Sequence, residues 1–142
     1  MDLKTMKVIE DFRTAGIKLI QQELEELHDL EHNLDEQFNI ACQELLSCTG
    51  KIIVTGIGKS GHIGRKIAAT LSSTGTPAYF VHPAEACHGD FGVITHEDKI
   101  IMISYSGEAS EIITLLPMIK RLGITTISIS GSANSTLGKQ SD

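Results

Sequence analysis

The stretch KIIVTGIGKSG, residues 51 to 61, decides how the rest of the chain is read. Ile52-Ile53-Val54 is an apolar run without polar alternation, and it ends in glycines that open a helical pattern. This is what a strand buried on both faces looks like when it turns straight into a helix. Three similar runs follow at Ala78-Tyr79-Phe80-Val81, at Ile100-Ile101-Met102-Ile103 and from Ile124 to Ile129, and the four begin 26, 22 and 24 residues apart. Helical stripes fill the gaps, one at Ile63, Ile67, Ala68 and Leu71 and another at Ile112, Leu115, Leu116, Ile119 and Leu122. Strand, helix and strand joined by right-handed crossovers predict an α/β fold with a doubly wound parallel sheet. Pro117 removes a bond to the carbonyl of Ile113 and predicts a kink in the second stripe. Gly131 to Ser135 set up a further strand-to-helix turn shortly before Asp142. The parallel core, residues 49–142, is therefore expected to be incomplete at its C-terminus.

Upstream, the texture differs. Val8, Phe12, Ala15, Leu19, Ile20, Leu24, Leu27, Leu30 and Leu34 recur every three or four residues with acidic side chains between them, predicting a long amphipathic helix. A second apolar set, Phe38, Ala41, Leu45 and Leu46, leads to Gly50, which could take the left-handed position after a helix. Residues 1–48 thus predict a helical hairpin. An apolar stripe that long must be buried somewhere, and a dimer or tetramer is the natural answer.

Composition narrows the function. The chain has 142 residues (15.4 kDa), 41% hydrophobic and 21% charged, with 3 prolines, so it has the makings of one folded domain. Net charge is −7 over residues 1–48 and +1 over 49–142. No basic stripe is visible, which argues against nucleic acid. Apolar runs of about four residues fall far short of a spanning helix, and the N-terminus lacks a basic start followed by an apolar stretch, so the expected location is cytoplasmic. Cys42, Cys48 and Cys87 are odd in number and lack C-x-x-C spacing, which points to reduced thiols.

Ligands of open parallel sheets bind beyond the carboxyl ends of the strands. The first such loop, Gly56-Ile57-Gly58-Lys59-Ser60-Gly61, matches G-x-G-x-x-G in letter. A dinucleotide site would want an acid after the second strand, where Val81 and His82 stand, and a phosphate-binding Walker loop would want glycine at Ile53. What survives is an anion site: glycines expose N–H groups at a helix start, with Ser60 and Lys59 in reach. The loop after the third strand, Ser104-Tyr105-Ser106-Gly107-Glu108-Ala109-Ser110-Glu111, also precedes a helix, and its three hydroxyls suit a phosphate. N-capping by Ser106 or Ser110 would account for one serine but hardly for three. Between these loops lies HPAEACHGD, residues 82 to 90, in which Glu85 and His88 are spaced to share a helix face. His82, Cys87 and His88 could hold a metal geometrically, but spacing alone does not specify one, and no metal or other cofactor is expected. His28 and His32 read as a solvated helix face, and Cys87 as a small buried apolar residue.

Taken in order, GIGKSG, HPAEACHGD and SYSGEASE resemble the sugar isomerase (SIS) domain, and more narrowly bacterial arabinose-5-phosphate isomerases. The resemblance implies a flavodoxin-like sheet, oligomers built through the helices, and interconversion of ribulose 5-phosphate with arabinose 5-phosphate for lipopolysaccharide synthesis. It places Lys59, Glu111 and His88 at active-site positions and Ser60, Ser104 and Ser106 on the sugar phosphate. Gly58, Glu85, Gly107 and Ser110 complete the expected binding set. Two residues depart from the family pattern: Ala109 stands where Ser or Thr is common, and Tyr105 where a small amide is common. The family also carries a further strand, another acid, a histidine given to a neighbouring subunit and, usually, CBS modules, none of which is in residues 1–142.

The expected chemistry moves a proton between C1 and C2 through an enediolate, with Glu111 as base or base partner and Lys59 stabilising the oxyanion. His88 would assist ring opening or position the sugar. The main rival is a regulatory SIS module that binds sugar phosphate without turning it over.

Overall fold

The structure, a computed structural model, describes residues 11–142. These fall into two compact units divided between Asn39 and Ile40. In the first, α1 runs from Phe12 to Asn33 and is capped by Asp11, whose carboxylate accepts the Arg13 amide at 3.0 Å. Val8, the first residue of the expected stripe, lies outside the described residues. Leu34, the last, is not helical: it takes extended backbone (φ −71°, ψ 113°), and Asp35 accepts the Gln37 amide at 2.9 Å and starts α2 (Glu36–Leu46). No residue of α1 is buried, and Leu19, Ile20, Leu24, Leu27 and Leu30 stay exposed.

The second unit holds β1 (Ile52–Gly56), α3 (Gly58–Ser73), β2 (Ala78–Phe80), α4 (Pro83–Cys87), a 3₁₀ turn at Asp90–Val93, β3 (Lys99–Ile103), α5 (Ser110–Ile113), α6 (Leu116–Leu122), β4 (Thr126–Ile129) and α7 (Thr136–Gln140). The four strands pair in parallel in the order β2-β1-β3-β4. Successive side chains on a strand point to opposite faces, and both faces are covered. Ile53, Ile100 and Met102 pack with Ala86, Ile112, Leu115, Leu116 and Ile119 on one side, while Ile52, Val54, Ile101 and Ile103 pack with Ala68, Ile67 and Leu71 on the other. This is why the runs of β1 and β3 carry no polar alternation. The outer strands differ from that expectation: Tyr79 of β2 and Ile129 of β4 are more than half exposed, because each lies on a strand with one neighbour.

Three local expectations are corrected. Gly50 is not left-handed; α2 stops at Leu46, and Gly50 lies against Asp98 and Glu97 so closely that a Cβ would overlap them. Its amide donates to the Glu97 carbonyl at 3.0 Å. Ile63 does not belong to the buried stripe of α3. The buried face is Gly61, Gly64 and Ala68, and Ile63 points to solvent. Backbone can approach the sheet only where side chains are absent: a Cβ on Gly64 would sit 3.1 Å from Phe80 and 3.2 Å from Val54. Pro117 breaks its helix outright. α5 ends at Ile113, and α6 restarts with Pro117 in its first turn, where the missing N–H has no intrahelical acceptor to lose.

Buried Asp98 ties the start of the sheet together. Its carboxylate accepts the Lys51 and Thr95 amides at 2.7 and 2.8 Å and pairs with the Lys51 ammonium at 3.1 Å. Burial alone would raise its pKa; the two amides and the ammonium outweigh burial and hold it below the ordinary carboxylate value.

Candidate active site

Because β1 and β3 are adjacent and in register, with Gly56 opposite Ile103, the chain leaves both strands at one level about 5 Å apart. Strand order also reverses here, with β2 outside β1 and β4 outside β3. Open parallel sheets hold their ligands at such a switch point.

β1 enters α3 through Ile57, whose extended backbone supplies no side-chain cap. The amides of Gly58, Lys59 and Ser60 therefore lack intrahelical acceptors and face outward with the positive end of the helix. Gly58 has φ +56° with open space where a Cβ would be, so the backbone conformation is what calls for glycine. Lys59 is exposed and takes part in none of the ion pairs among the described residues.

After β3, Ser104 is buried and its Oγ accepts the Gly107 amide at 3.1 Å, while Ser106 Oγ accepts the Glu108 amide at 3.2 Å. A hydroxyl that accepts still has its own proton to donate. Neither Ser106 nor Ser110 caps α5, contrary to the simpler expectation. The cap residue is Ala109, without a side-chain bond, because Ser106 already closes the turn before the helix begins. Ser110 Oγ donates to Glu111 Oε2 at 3.0 Å. Gly107 has φ +65°, and a Cβ there would overlap Ser135.

The Glu111 carboxylate accepts its own amide and the Ser110 hydroxyl. These bonds, the amide first, hold its pKa below the ordinary glutamate value, and the charge of His82 acts in the same direction. Glu111 is therefore ionised at neutral pH. The proximity of His82 brings the segment after β2 to the start of α5, a pairing that sequence spacing does not reveal.

His82 caps α4, with Nδ1 accepting the Ala84 amide at 3.3 Å. Glu85 and Cys87 on α4 are not buried, and Cys87 is exposed, so it is not a packed apolar residue. His88 is the C-cap of α4, and its amide donates to the Glu85 carbonyl at 2.9 Å. Its Nδ1 sits 2.8 Å from the Ala84 carbonyl. A carbonyl only accepts, so Nδ1 carries the proton and Nε2 of the neutral ring is free to accept. Among the described residues, His82, Cys87 and His88 do not gather as a metal-binding group.

Two residues escaped the sequence reading. Glu108 reaches from the β3 loop to α7, where its Oε1 accepts the Thr136 amide at 2.7 Å. Thr55, just before Gly56, is buried with its hydroxyl unpaired among the described residues. Glu108 stands in the quoted loop but its partner is 28 residues away; Thr55 gave no signal beyond being a hydroxyl in an apolar strand.

The sheet carries serine- and glycine-bearing loops at two neighbouring strand tips, and residues 45–142 match the SIS domain model. The chain belongs to the SIS domain family. It is 52% identical over 132 residues to arabinose 5-phosphate isomerase KdsD of Yersinia pestis and 48% identical to KdsD of Escherichia coli K12. Each alignment covers 93% of this chain and 40% of the relative, so the chain spans about two fifths of the length of these curated relatives. Among solved structures, E. coli CFT073 c3406 in complex with arabinose 5-phosphate superposes with a TM-score of 0.79 at 44% identity, over 91% of this chain and 71% of that one. The Vibrio vulnificus NanR protein complexed with ManNAc-6P superposes with a TM-score of 0.78 at 19% identity, over 94% of this chain and 49% of that one, a likeness of fold alone. No helix among the described residues is long and apolar enough to cross a membrane.

Proposed function

We propose that this chain is the SIS domain, residues 1–142, of an arabinose-5-phosphate isomerase that interconverts D-ribulose 5-phosphate and D-arabinose 5-phosphate. The observation that supports the reading is the register of β1 with β3, from which the loop bearing Lys59 and Ser60 and the loop bearing Ser104 and Ser106 both leave at neighbouring strand tips. Identity to KdsD supports the choice of sugar.

In the forward direction a base removes a proton from C1 of the ketose, the C2 carbonyl oxygen becomes the enediolate oxygen, the O1 hydroxyl proton passes to O2, and the first proton returns at C2 as the carbonyl forms at C1. Glu111, ionised by its hydrogen bonds, is the base or holds the base in its active form. Lys59 balances the charge that develops on oxygen. Ser60, Ser104, Ser106, Ser110 and the amide of Gly58 hold the phosphate, Gly107 shapes the turn that presents the serines, and Glu85 binds the sugar. His88 positions the sugar or, in the reverse direction, assists ring opening of the aldose, with Nε2 taking the anomeric hydroxyl proton and returning it to the ring oxygen as the C1–O bond breaks. The isomerisation needs no cofactor, and its setting is cytoplasmic lipopolysaccharide synthesis.

A coupled isomerase assay run beside calorimetry on the full-length protein tests this. Turnover of ribulose 5-phosphate is expected. Sugar-phosphate binding without turnover would replace the enzyme by a regulatory module, and neither would defeat the site altogether. Light scattering tests a homodimer or homotetramer formed through the exposed stripe of α1; a monomer refutes it.

A further inference from the structure

The loop that follows β3 contains a carboxylate that a phosphate would repel. Glu108 sits between Ser106, Gly107 and Ser110, on the loop proposed to grip the phosphoryl group. Its side chain is already engaged elsewhere, with Oε1 accepting the Thr136 amide at 2.7 Å in the first turn of α7. Lys139, one turn further along α7, attracts the same charge. Two backbone bonds run alongside, from the Leu137 amide to the Gly107 carbonyl at 3.0 Å and from the Gly131 amide to the Tyr105 carbonyl at 2.9 Å. The Glu108 amide, meanwhile, donates inward to Ser106 Oγ. One residue is thus bonded on both sides of the loop: inward through its backbone and outward through its side chain.

We infer that Glu108 is a positioning residue, whose carboxylate latches the β3 loop to α7 and keeps the Ser104 and Ser106 hydroxyls in the arrangement that holds phosphate. Glu108 touches no substrate. Its bond to an amide is charge-assisted and links segments 28 residues apart. It also turns a negative charge away from the anion it would otherwise oppose. The inference rests on the sugar-phosphate reading of the site.

Thr136 allows the latch to be cut from its other end. It is the first residue of α7, and Ser135 before it is extended (φ −64°, ψ 164°), so proline fits there and removes the N–H together with the hydroxyl, both of which serve Glu108. In the full-length protein, E108A and T136P should each raise KM for the sugar phosphate about tenfold with kcat within about twofold, as expected when uniform binding is lost. The double variant should be no worse than either single one, because both cut the same Glu108–Thr136 contact. E108Q keeps an acceptor at the same reach and should stay near wild type, whereas E108D falls short and should resemble E108A. Hydrogen exchange at the Gly107 and Glu108 amides, with no ligand present, should quicken in E108A and T136P. An unchanged KM, additive effects in the double variant, or unchanged exchange would overturn the latch. If the wild type neither binds nor turns over sugar phosphates, the functional reading fails, and the exchange measurement still decides whether Glu108 organises the loop.

Discussion

Gly61 faces Gly56 so closely that a Cβ on Gly61 would lie 2.8 Å from the Gly56 carbonyl oxygen. The turn from β1 into α3 is therefore closed glycine against glycine, and the first anion loop takes its shape from that approach. Replacing Gly61 with alanine forces backbone apart and should destabilise the domain by about 2 kcal/mol despite the better helix propensity of alanine. Urea unfolding measures it; an unshifted midpoint would contradict the close packing.

Lys59 lies in the first turn of α3, exposed and outside the packed core. K59A should leave the thermal midpoint within about 1 °C of wild type, as for a surface change. Isomerase kcat should fall about a hundredfold or more, the usual effect of losing one group that stabilises an oxyanion. Retained turnover would remove Lys59 from the chemistry.

For Glu111 the expectation concerns acid. Its folded pKa is lowered, so the ionised form persists below the ordinary glutamate value of 4.5, and the loss of activity that depends on Glu111 should come as pH drops through that lower value. E111Q lacks the charge at every pH and should lose about a hundredfold or more in kcat, in the range of general-base catalysis. A wild-type acid limb above pH 4.5, at a pH where the fold is intact, would assign the titrating group elsewhere.

Asp98 links stability to pH. Its lowered folded pKa means that its stabilisation is present above the unfolded value of 3.8 and disappears as pH falls through the folded value. D98N leaves one of two amides facing an NH₂ group and should cost about 2 kcal/mol at neutral pH. Wild-type and D98N stabilities should converge in strong acid; a constant gap from neutral to acid pH would show that the carboxylate charge is not what matters.

How much of this was legible in advance follows from what each feature depends on. Ile52 to Val54 and Ile100 to Ile103 announced central strands because burial on both faces leaves no room for polar alternation. The two strand-to-helix loops were visible because glycine and serine cluster where strands end. The face of α3 was not, since Gly61 and Gly64 pack by having no side chain, and a search for apolar periodicity selects Ile63 instead. Pro117 signalled a disturbance without saying whether the helix bends or restarts; Leu116 and Ile119 are buried in α6, and the packing settles on a restart. Glu108 with Thr136 and Glu111 with His82 depend on chain segments meeting in space, which local patterns do not encode.

The register of Gly56 with Ile103 has one more consequence. The distance between the origins of the two loops is metered by peptide hydrogen bonds and is indifferent to the side chains that decorate the loops. Under the proposed function, anchoring and selectivity therefore reside on separate residues: side chains away from these two strand tips can be rewritten for a longer or shorter carbon skeleton without shifting the loops that take the phosphoryl end.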